Sequence, residues 1–379
     1  MAAVSRILVV GGGVGGLTAA TALRQQGIAV DLVEINPDHS VYGVGIIQPN
    51  NTLRALDRIG LADECVRLGG AFPGWRIFDA HGGHIMDAPN HSDASPRHPP
   101  VNGITRPLLQ RVLLEAARAS GADIRTGVGI GTMADDGDGV DVSFTDGRAA
   151  RYDFVIGSDG LYSEIRTRLF GSSPAPQFSG QAVWRYNFPR PAEVEWGHVY
   201  YGARTKVGLV PMSPDLMYMF LVTHEPGNPR MPREQLPALM RERLDGYTGL
   251  VAALRETITD ADAVVYKPME HLLLPAPWHK GRVIVIGDGA HATTPHLAQG
   301  AAMAIEDAVL LGELLGSDRP LADLLDEFMA RRFDRAKFVI DCSTQIADWE
   351  MEQWAGIQNP AARPGQLLGE ATHALMADY

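Results

Sequence analysis

Residues 6–34 constrain the fold more than any other part of the chain. The β-rich run Arg6–Val10 ends in Gly11-Gly12-Gly13-Val14-Gly15-Gly16, and Leu17–Gln26, rich in Ala and Leu, follows with helical composition. Gly27 stops the helix and Ile28–Glu34 reads as a second strand. Strand, helix and strand within about 30 residues make a βαβ unit, which commits the chain to a parallel sheet. Gly11, Gly13 and Gly16 fit G-x-G-x-x-G. The first glycine permits the tight turn, the second lets a pyrophosphate approach the backbone, and the third lets helix and strand pack closely. Glu34 ends the second strand, 18 residues after Gly16. A carboxylate there can accept hydrogen bonds from ribose hydroxyls and would repel a 2′-phosphate, which favours FAD or NAD over NADP.

Two later segments also run from a buried strand into a small polar turn. Asp153–Ser158 is apolar and continues as Asp159-Gly160-Leu161-Tyr162-Ser163-Glu164-Ile165-Arg166, where Asp159 or Ser163 can cap the next helix. Val283–Ile286 stops at Gly287-Asp288-Gly289 and leads through His291, Pro295 and Gln299-Gly300 to a helix of small residues. A strand end that feeds a helix N-terminus suits an anionic or hydroxyl-rich ligand. This second site lies roughly 270 residues beyond the glycine turn. The two motifs therefore pose the question of whether they meet on one cofactor.

The bulk numbers fit a globular chain. At 379 residues, 45% hydrophobic and 21% charged, it has room for two domains. No apolar run approaches the ~20 residues that span a bilayer, and Arg6–Val10 is too short for the core of a signal peptide. Cys65 and Cys342 make no disulfide framework, so a reducing cytoplasm is expected. A net charge of −12 argues against a nucleic-acid partner, which would need a basic face.

Leu53–Leu68 and Arg106–Ser120 read as helices, with short strands near Ile124 and at Val140–Phe144. Gly69–Pro100, rich in Gly, Pro and His, reads as irregular or as short strands. Asp135–Gly139 is a turn, without the glutamate a calcium loop needs. From Pro174 the texture changes. Ala182–Phe188, His198–Tyr201, Val207–Val210 and Leu216–Thr223 suggest an antiparallel sheet. Met231–Leu254 reads as helix with proline interruptions and Ala263–Lys267 as a strand. Arg282–Ile286 returns to the buried parallel style, and residues 320–350 form one or two helices. The tail after Gln353 carries no clear assignment.

With all three motifs in view, the chain resembles the class A flavoprotein aromatic hydroxylases, the para-hydroxybenzoate hydroxylase-like family. That family carries an N-terminal G-x-G-x-x-G, a middle D-G motif with Ser and Arg downstream, and a later G-D motif. Here these stand in order at Gly11–Gly16, Asp159–Arg166 and Gly287-Asp288. The resemblance covers roughly residues 5–345. It implies an α/β fold, α+β overall: a Rossmann-like FAD-binding domain from 1–72, 102–174 and 276–345, an inserted antiparallel-sheet substrate domain from 73–101 and 175–275, and a helical C-terminal extension from 346–379. It also implies an FAD-dependent monooxygenase that uses NADH or NADPH and O2 to hydroxylate a small phenolic or hydroxylated N-heteroaromatic substrate through a flavin hydroperoxide. Such an enzyme needs no nucleic acid or membrane partner and works as a monomer or homodimer. The competing readings are a flavoprotein epoxidase or reductase acting on an isoprenoid or polyketide, and a non-catalytic flavin-binding protein.

Carried over by residue, the resemblance assigns Gly11, Gly13, Gly15, Gly16 and Glu34 to the ADP half of FAD. Arg106 matches the family arginine that contacts the cofactor, and Asp159 belongs to the motif that supports the pyrophosphate. Asp288 would bind the ribityl hydroxyls, and Gly45, in Gly43–Asn50, would pack beside the isoalloxazine ring. Pro295–Gly300 would set backbone N–H groups at the pyrimidine end, where they stabilise the negative charge of reduced flavin. The W-x-W-x-I-P motif of flavin-dependent halogenases is missing, as is a second G-x-G-x-x-G.

The substrate pocket is expected between the flavin and the antiparallel sheet. Alternation puts Val183, Arg185 and Asn187 on one face of their strand, and Tyr218, Phe220 and Val222 on one face of theirs. Arg185 and Tyr218 are its polar candidates, set against the alternatives of a structural ion pair and a core aromatic. His296 is the sharper candidate: some pyridine hydroxylases of the family carry a substrate-facing histidine there, and an imidazole suits proton transfer near neutral pH. The alternative is a histidine bonded within its own loop. His291 is expected to pack against the cofactor loop, and no residue set fits a metal. Met86, Met212, Met217 and Met219 either pad the pocket or fill the core.

Overall fold

The computed structural model describes residues 4–38, 41 and 43–379. Its central sheet has six strands in the order His279–Lys280, Val283–Val285, Phe154–Gly157, Arg6–Val10, Ala29–Glu34, Asp123–Thr126. All neighbours pair in parallel except the edge strand His279–Lys280, which is antiparallel to Val283–Val285. Apolar runs such as Arg6–Val10 and Phe154–Gly157 occupy the middle because helices cover both faces of a parallel sheet. Ile7, Leu8, Val9, Phe154, Val155 and Ile156 are all fully buried there. Parallel pairing brings the C-terminal ends of three strands to one edge, so the residues that follow Val10, Gly157 and Val285 become neighbours. Ser158 N–H donates to Val10 O at 2.8 Å, and Ile286 N–H donates to Gly157 O at 2.9 Å. The three motifs therefore lie side by side.

A seven-stranded sheet runs Val265–His271, Gln177–Pro189, Leu216–His224, Thr205–Pro211, Gly197–Tyr201, Gly74–Asp79, His84–Pro89. It is not wholly antiparallel as expected. Gly74–Asp79 pairs in parallel with Gly197–Tyr201, because the chain first crosses the central sheet before returning to this edge. Period-two alternation gives the sheet two unlike faces. Trp184, Phe188, Met217, Met219 and Leu221 pack with Leu236, Met240, Leu244 and Val251 from the helices behind. Val183, Arg185, Tyr218, Phe220 and Val222 face a cavity on the other side. Met217 and Met219 are thus core filler, and Met86 lies exposed on a hairpin.

A small sheet of Gly45–Pro49, Val101–Thr105 and Gly70–Phe72 joins the two large ones, and Ile130–Asp135, Val140–Phe144 and Ala149–Tyr152 form an antiparallel three-stranded sheet. Two helical expectations change and a third narrows. Leu53–Leu68 is two helices, Asn50–Arg58 and Ala62–Leu68, because Gly60 takes φ +77° between them. Met231–Leu254 breaks into Leu236–Arg243 and Gly249–Arg255, with Gly246 and Gly249 at positive φ. Residues 320–350 belong to one helix, Leu321–Trp354, of 34 residues and about 50 Å. A last helix, Pro364–Ala374, follows in the tail. Among the described residues no helix is long and apolar enough to cross a membrane.

Candidate active site

One cavity of about 870 Å³ runs from the glycine turn, across the ends of the central strands, to the face of the seven-stranded sheet. At its first end the helix Val14–Gln25 begins at Gly13 with no side-chain cap, so its first N–H groups are open to a ligand. The glycines around it are fixed by two different constraints. Gly11 has φ +109°, and a Cβ there would lie 2.3 Å from Ser158 O. A Cβ on Gly16 would lie 1.9 Å from Gly11 O. Gly13, by contrast, has nothing within 4 Å, which is the open backbone approach a pyrophosphate requires. Gly13 and Gly15 line the cavity, while Gly11 and Gly16 shape the turn from behind. Glu34 Oε2 accepts the Gly12 N–H at 2.7 Å, and Oε1 accepts the Asn36 N–H at 2.8 Å. The carboxylate therefore braces the turn at the edge of the site. Gln110 donates to Gly12 O at 2.7 Å and also lines the cavity.

In the middle motif the Asp159 side chain does not point at the cavity. It accepts from Ser163 Oγ at 2.5 Å and from Ile165 N–H at 3.0 Å, which caps the helix Glu164–Phe170. The residues that line the cavity here are Ser158, Gly160 and Leu161. Arg166 ties this loop to the next by donating to Leu161 O and Gly289 O, both at 2.9 Å.

Asp288 opens the short helix Asp288–His291 after the strand Val283–Val285 and exposes its side chain to the cavity. The protein walls packed around the cavity raise its carboxyl above the ordinary range although the side chain is open to the cavity, against the pull of His291 and Arg106. Behind it, buried Asp307 accepts the Gly287 N–H at 3.0 Å, Arg332 Nε at 2.7 Å and His291 Nε2 at 2.5 Å. Burial pushes the Asp307 carboxyl up, but His291 and Arg332 outweigh it and hold the group at about 2. Arg332 and Arg335 also clamp Glu306, which accepts from Asn51. The sequence offered no sign of this network beyond the acidic pair itself. His291 packs against Trp278 with the rings tilted by 41° and their centroids 4.8 Å apart, and so sits behind the loop.

At the far end Gly45 passes against Tyr218; a Cβ on Gly45 would lie 2.2 Å from that ring. Arg106, Arg185, Tyr218, Pro295, His296 and Gly300 all face the same cavity. Neither Arg106 nor Arg185 forms an ion pair with a carboxylate among the described residues, so the ion-pair alternative for Arg185 is not what the structure contains. Burial, with the charge of Arg106, pulls Arg185 down to about 10, while Tyr218 opposes the shift. Burial raises the Tyr218 hydroxyl, and both arginines oppose that rise. His296 is bonded at both nitrogens: Nδ1 lies 2.9 Å from Thr294 Oγ1, and Nε2 lies 3.2 Å from Glu350 Oε2. Burial lowers its imidazole below the usual value, partly offset by Glu350. Thr294, Glu350 and the tail residues Leu368, Thr372 and His373 escaped the sequence reading, although all but Glu350 line the cavity.

This fold and this site define an FAD-dependent monooxygenase of the aromatic-hydroxylase class. The chain belongs to the FAD binding domain family, whose profile matches residues 5–343. It is similar to the putative FAD-dependent monooxygenase YetM of Bacillus subtilis (strain 168), with 30% identity over 98% of this chain and 99% of that one. It is also similar to the 2-heptyl-3-hydroxy-4(1H)-quinolone synthase of Pseudomonas aeruginosa (strain UCBPP-PA14), with 31% identity over 94% of this chain and 93% of the relative. Among solved structures, that of Klebsiella pneumoniae HpxO complexed with FAD and uric acid superposes with a TM-score of 0.85. It covers 98% of this chain and 97% of that one at 24% identity, a likeness of fold.

Proposed function

We propose that the protein is an NAD(P)H- and O2-dependent hydroxylase of a small phenolic or hydroxylated N-heteroaromatic compound. The observation that carries this reading is the continuity of the cavity, which joins the open glycine turn to a sheet face bearing Arg185 and Tyr218. The residues fit FAD: Gly13 leaves room for a pyrophosphate, the uncapped helix start offers N–H donors, and Asp288 offers an acceptor for ribityl hydroxyls. In this reading Gly11, Gly13, Gly15, Gly16 and Glu34 hold the ADP half. Ser158 and Gly160, with Asp159 capping the helix beneath them, form the wall along the pyrophosphate. Arg106, Gly45, Pro295 and Gly300 surround the ring.

Bound FAD supplies the redox chemistry, taking electrons from NADH or NADPH and activating O2. The chain itself must orient the substrate, exclude water and handle a proton. Val183, Phe220 and Val222 give the apolar wall, while Arg185 and Tyr218 give the polar anchors. His296, held neutral by burial, has the protonation state that accepts a proton from a ring hydroxyl. Two relatives are named for nitrogen heteroaromatics, a hydroxyquinolone and urate, which favours that half of the substrate class. With Cys65 and Cys342 both free and buried, a reducing cytoplasm suits the protein.

The test is a panel of phenols, hydroxypyridines, hydroxyquinolones and purines added to the FAD-reconstituted protein, with NADH and NADPH oxidation followed under ¹⁸O2. A yellow protein is expected, with oxidation stimulated by at least one compound and one ¹⁸O atom in its product. A protein that never takes up flavin, or one whose stimulated oxidation leaves no ¹⁸O in any product, overturns the reading.

A further inference from the structure

We propose that Thr294, His296 and Glu350 form a hydroxyl–imidazole–carboxylate proton relay, with the Thr294 hydroxyl meeting the substrate and Glu350 acting as the positioning residue. This rests on the hydroxylase reading and specifies its proton path. The three side chains are hydrogen-bonded in series: Thr294 Oγ1 to Nδ1 at 2.9 Å, then Nε2 to Glu350 Oε2 at 3.2 Å. Glu350 sits in the Leu321–Trp354 helix, 54 residues beyond His296 and outside the family match of residues 5–343.

The direction of the bonds follows from the acceptor. Burial raises the Glu350 carboxyl, but Lys206 and His296 outweigh it and hold the group at about 2, so it is ionised and can only accept. Nε2 must then carry the imidazole proton. That leaves a lone pair on Nδ1, which takes the Thr294 O–H. Thr294, only 1% exposed where it lines the cavity, makes no capping bond, and its oxygen keeps lone pairs that a substrate hydroxyl pressed against that wall can meet. In the transfer the substrate O–H bond breaks and its proton goes to Thr294 Oγ1. The proton already on Thr294 passes to Nδ1. Threonine ends as it began, the substrate oxygen holds the electron pair and the negative charge, and the imidazolium rests against Glu350.

Every packed element contributes to the electrostatics of this chain. The long helix brings Glu350 and Asp348, and the strand Thr205–Pro211 brings Lys206, which pairs with Glu350. Gln181 adds an N–H to Oε2 at 3.2 Å. Tyr201 feels both Lys206 and Glu350. The helix Pro364–Ala374 carries Glu370, which acts on Cys342, and His373, which lines the cavity. At rest Lys206 and Glu350 cancel, so the carboxylate is tolerated when buried and still available once the imidazole charges.

The relay makes predictions of opposite sign at its two ends. In the FAD-reconstituted enzyme labelled with ¹⁵N-histidine, His296, assigned by its loss in His296→Gln, should show the Nε2–H tautomer. Thr294→Val removes a donor to the neutral ring and should raise the imidazole pKa. Glu350→Gln removes the counter-ion of the charged ring and should lower it. The acid limb of the kcat profile, for whichever compound stimulates oxidation, should move the same way. In Thr294→Val and His296→Gln kcat should fall about 100-fold with KM within about threefold, and Thr294→Ser should restore it. An Nδ1–H tautomer, shifts of equal sign, or wild-type kcat in Thr294→Val overturns the relay and leaves the hydroxylase standing. The expected tautomer and shifts without hydroxylation of any compound would overturn the hydroxylase instead, with the relay's wiring intact.

Discussion

Arg185 stands on the cavity wall without an ion-pair partner among the described residues. Its guanidinium is surrounded by protein, faces a cavity shared with Arg106, and meets no carboxylate among the described residues. An unpaired charge in such a place costs stability unless a ligand supplies the counter-charge. The Arg185→Met variant keeps most of the volume and removes the charge. Its flavin-free form should melt a few degrees higher, for a gain of about 1 kcal/mol. Its kcat/KM for the stimulating aromatic compound should fall at least about tenfold, because the substrate loses its charged anchor. A lower melting temperature would mean that Arg185 is bonded structurally after all. Arg185 and Tyr218 were legible in the sequence because strand alternation is local and period two. The direction of the Asp159 side chain was not, since it depends on whether Ser163 and the helix start claim it first.

At the scale of the element, the glycine turn separates packing from ligand space. Gly16→Ala would drive a Cβ into the Gly11 carbonyl, so helix and strand must part, at a cost of about 3 kcal/mol in the flavin-free protein. Gly13→Ala meets nothing, and its φ of −81° is open to alanine. The flavin-free protein should lose at most about 1 kcal/mol, for the poorer helix cap. FAD should nevertheless bind Gly13→Ala at least about tenfold more weakly, as followed by flavin fluorescence quenching. Equal FAD affinity in Gly13→Ala and wild type would remove the pyrophosphate from this turn. The turn was readable because strand, glycines and helix are contiguous. The wall formed by Leu368, Thr372 and His373 was not, because nothing within 20 residues of them reveals what they face.

Across the whole molecule, what the sequence could not show is how distant segments are locked together, and the network around Arg332 is the clearest case. Arg332 lies wholly buried about a third of the way along the 34-residue helix and bonds both Glu306 at 2.6 Å and Asp307 at 2.7 Å. Asp307 in turn fixes Gly287 and His291 behind the cofactor loop, and Glu306 holds Asn51 beside the small joining sheet. The chain thus uses one cation to align two acids that orient opposite sides of the site. Both carboxyls are raised by burial and pulled down further by their partners, so both end below their ordinary values. Groups whose folded pKa is depressed stabilise the protein above their unfolded pKa, and that contribution is lost as pH falls through the folded value. For Asp307 the loss runs from about 3.8 down to about 2, so the wild type keeps this part of its stability above about pH 4 and loses it progressively below. Arg332→Leu removes the cation and leaves two buried acids under-compensated. Their folded pKa values rise toward or past the unfolded ones, so the stability the pair lends at neutral pH is lost, and the deficit against wild type narrows as the acids protonate. The variant should be about 3–5 kcal/mol less stable at neutral pH. That deficit, followed by urea unfolding with circular dichroism, should shrink as the pH falls from about 6 to about 3, and FAD affinity should drop although Arg332 is remote from the cavity wall. A deficit that stays constant over that pH range would show that Arg332 merely fills space between the helices.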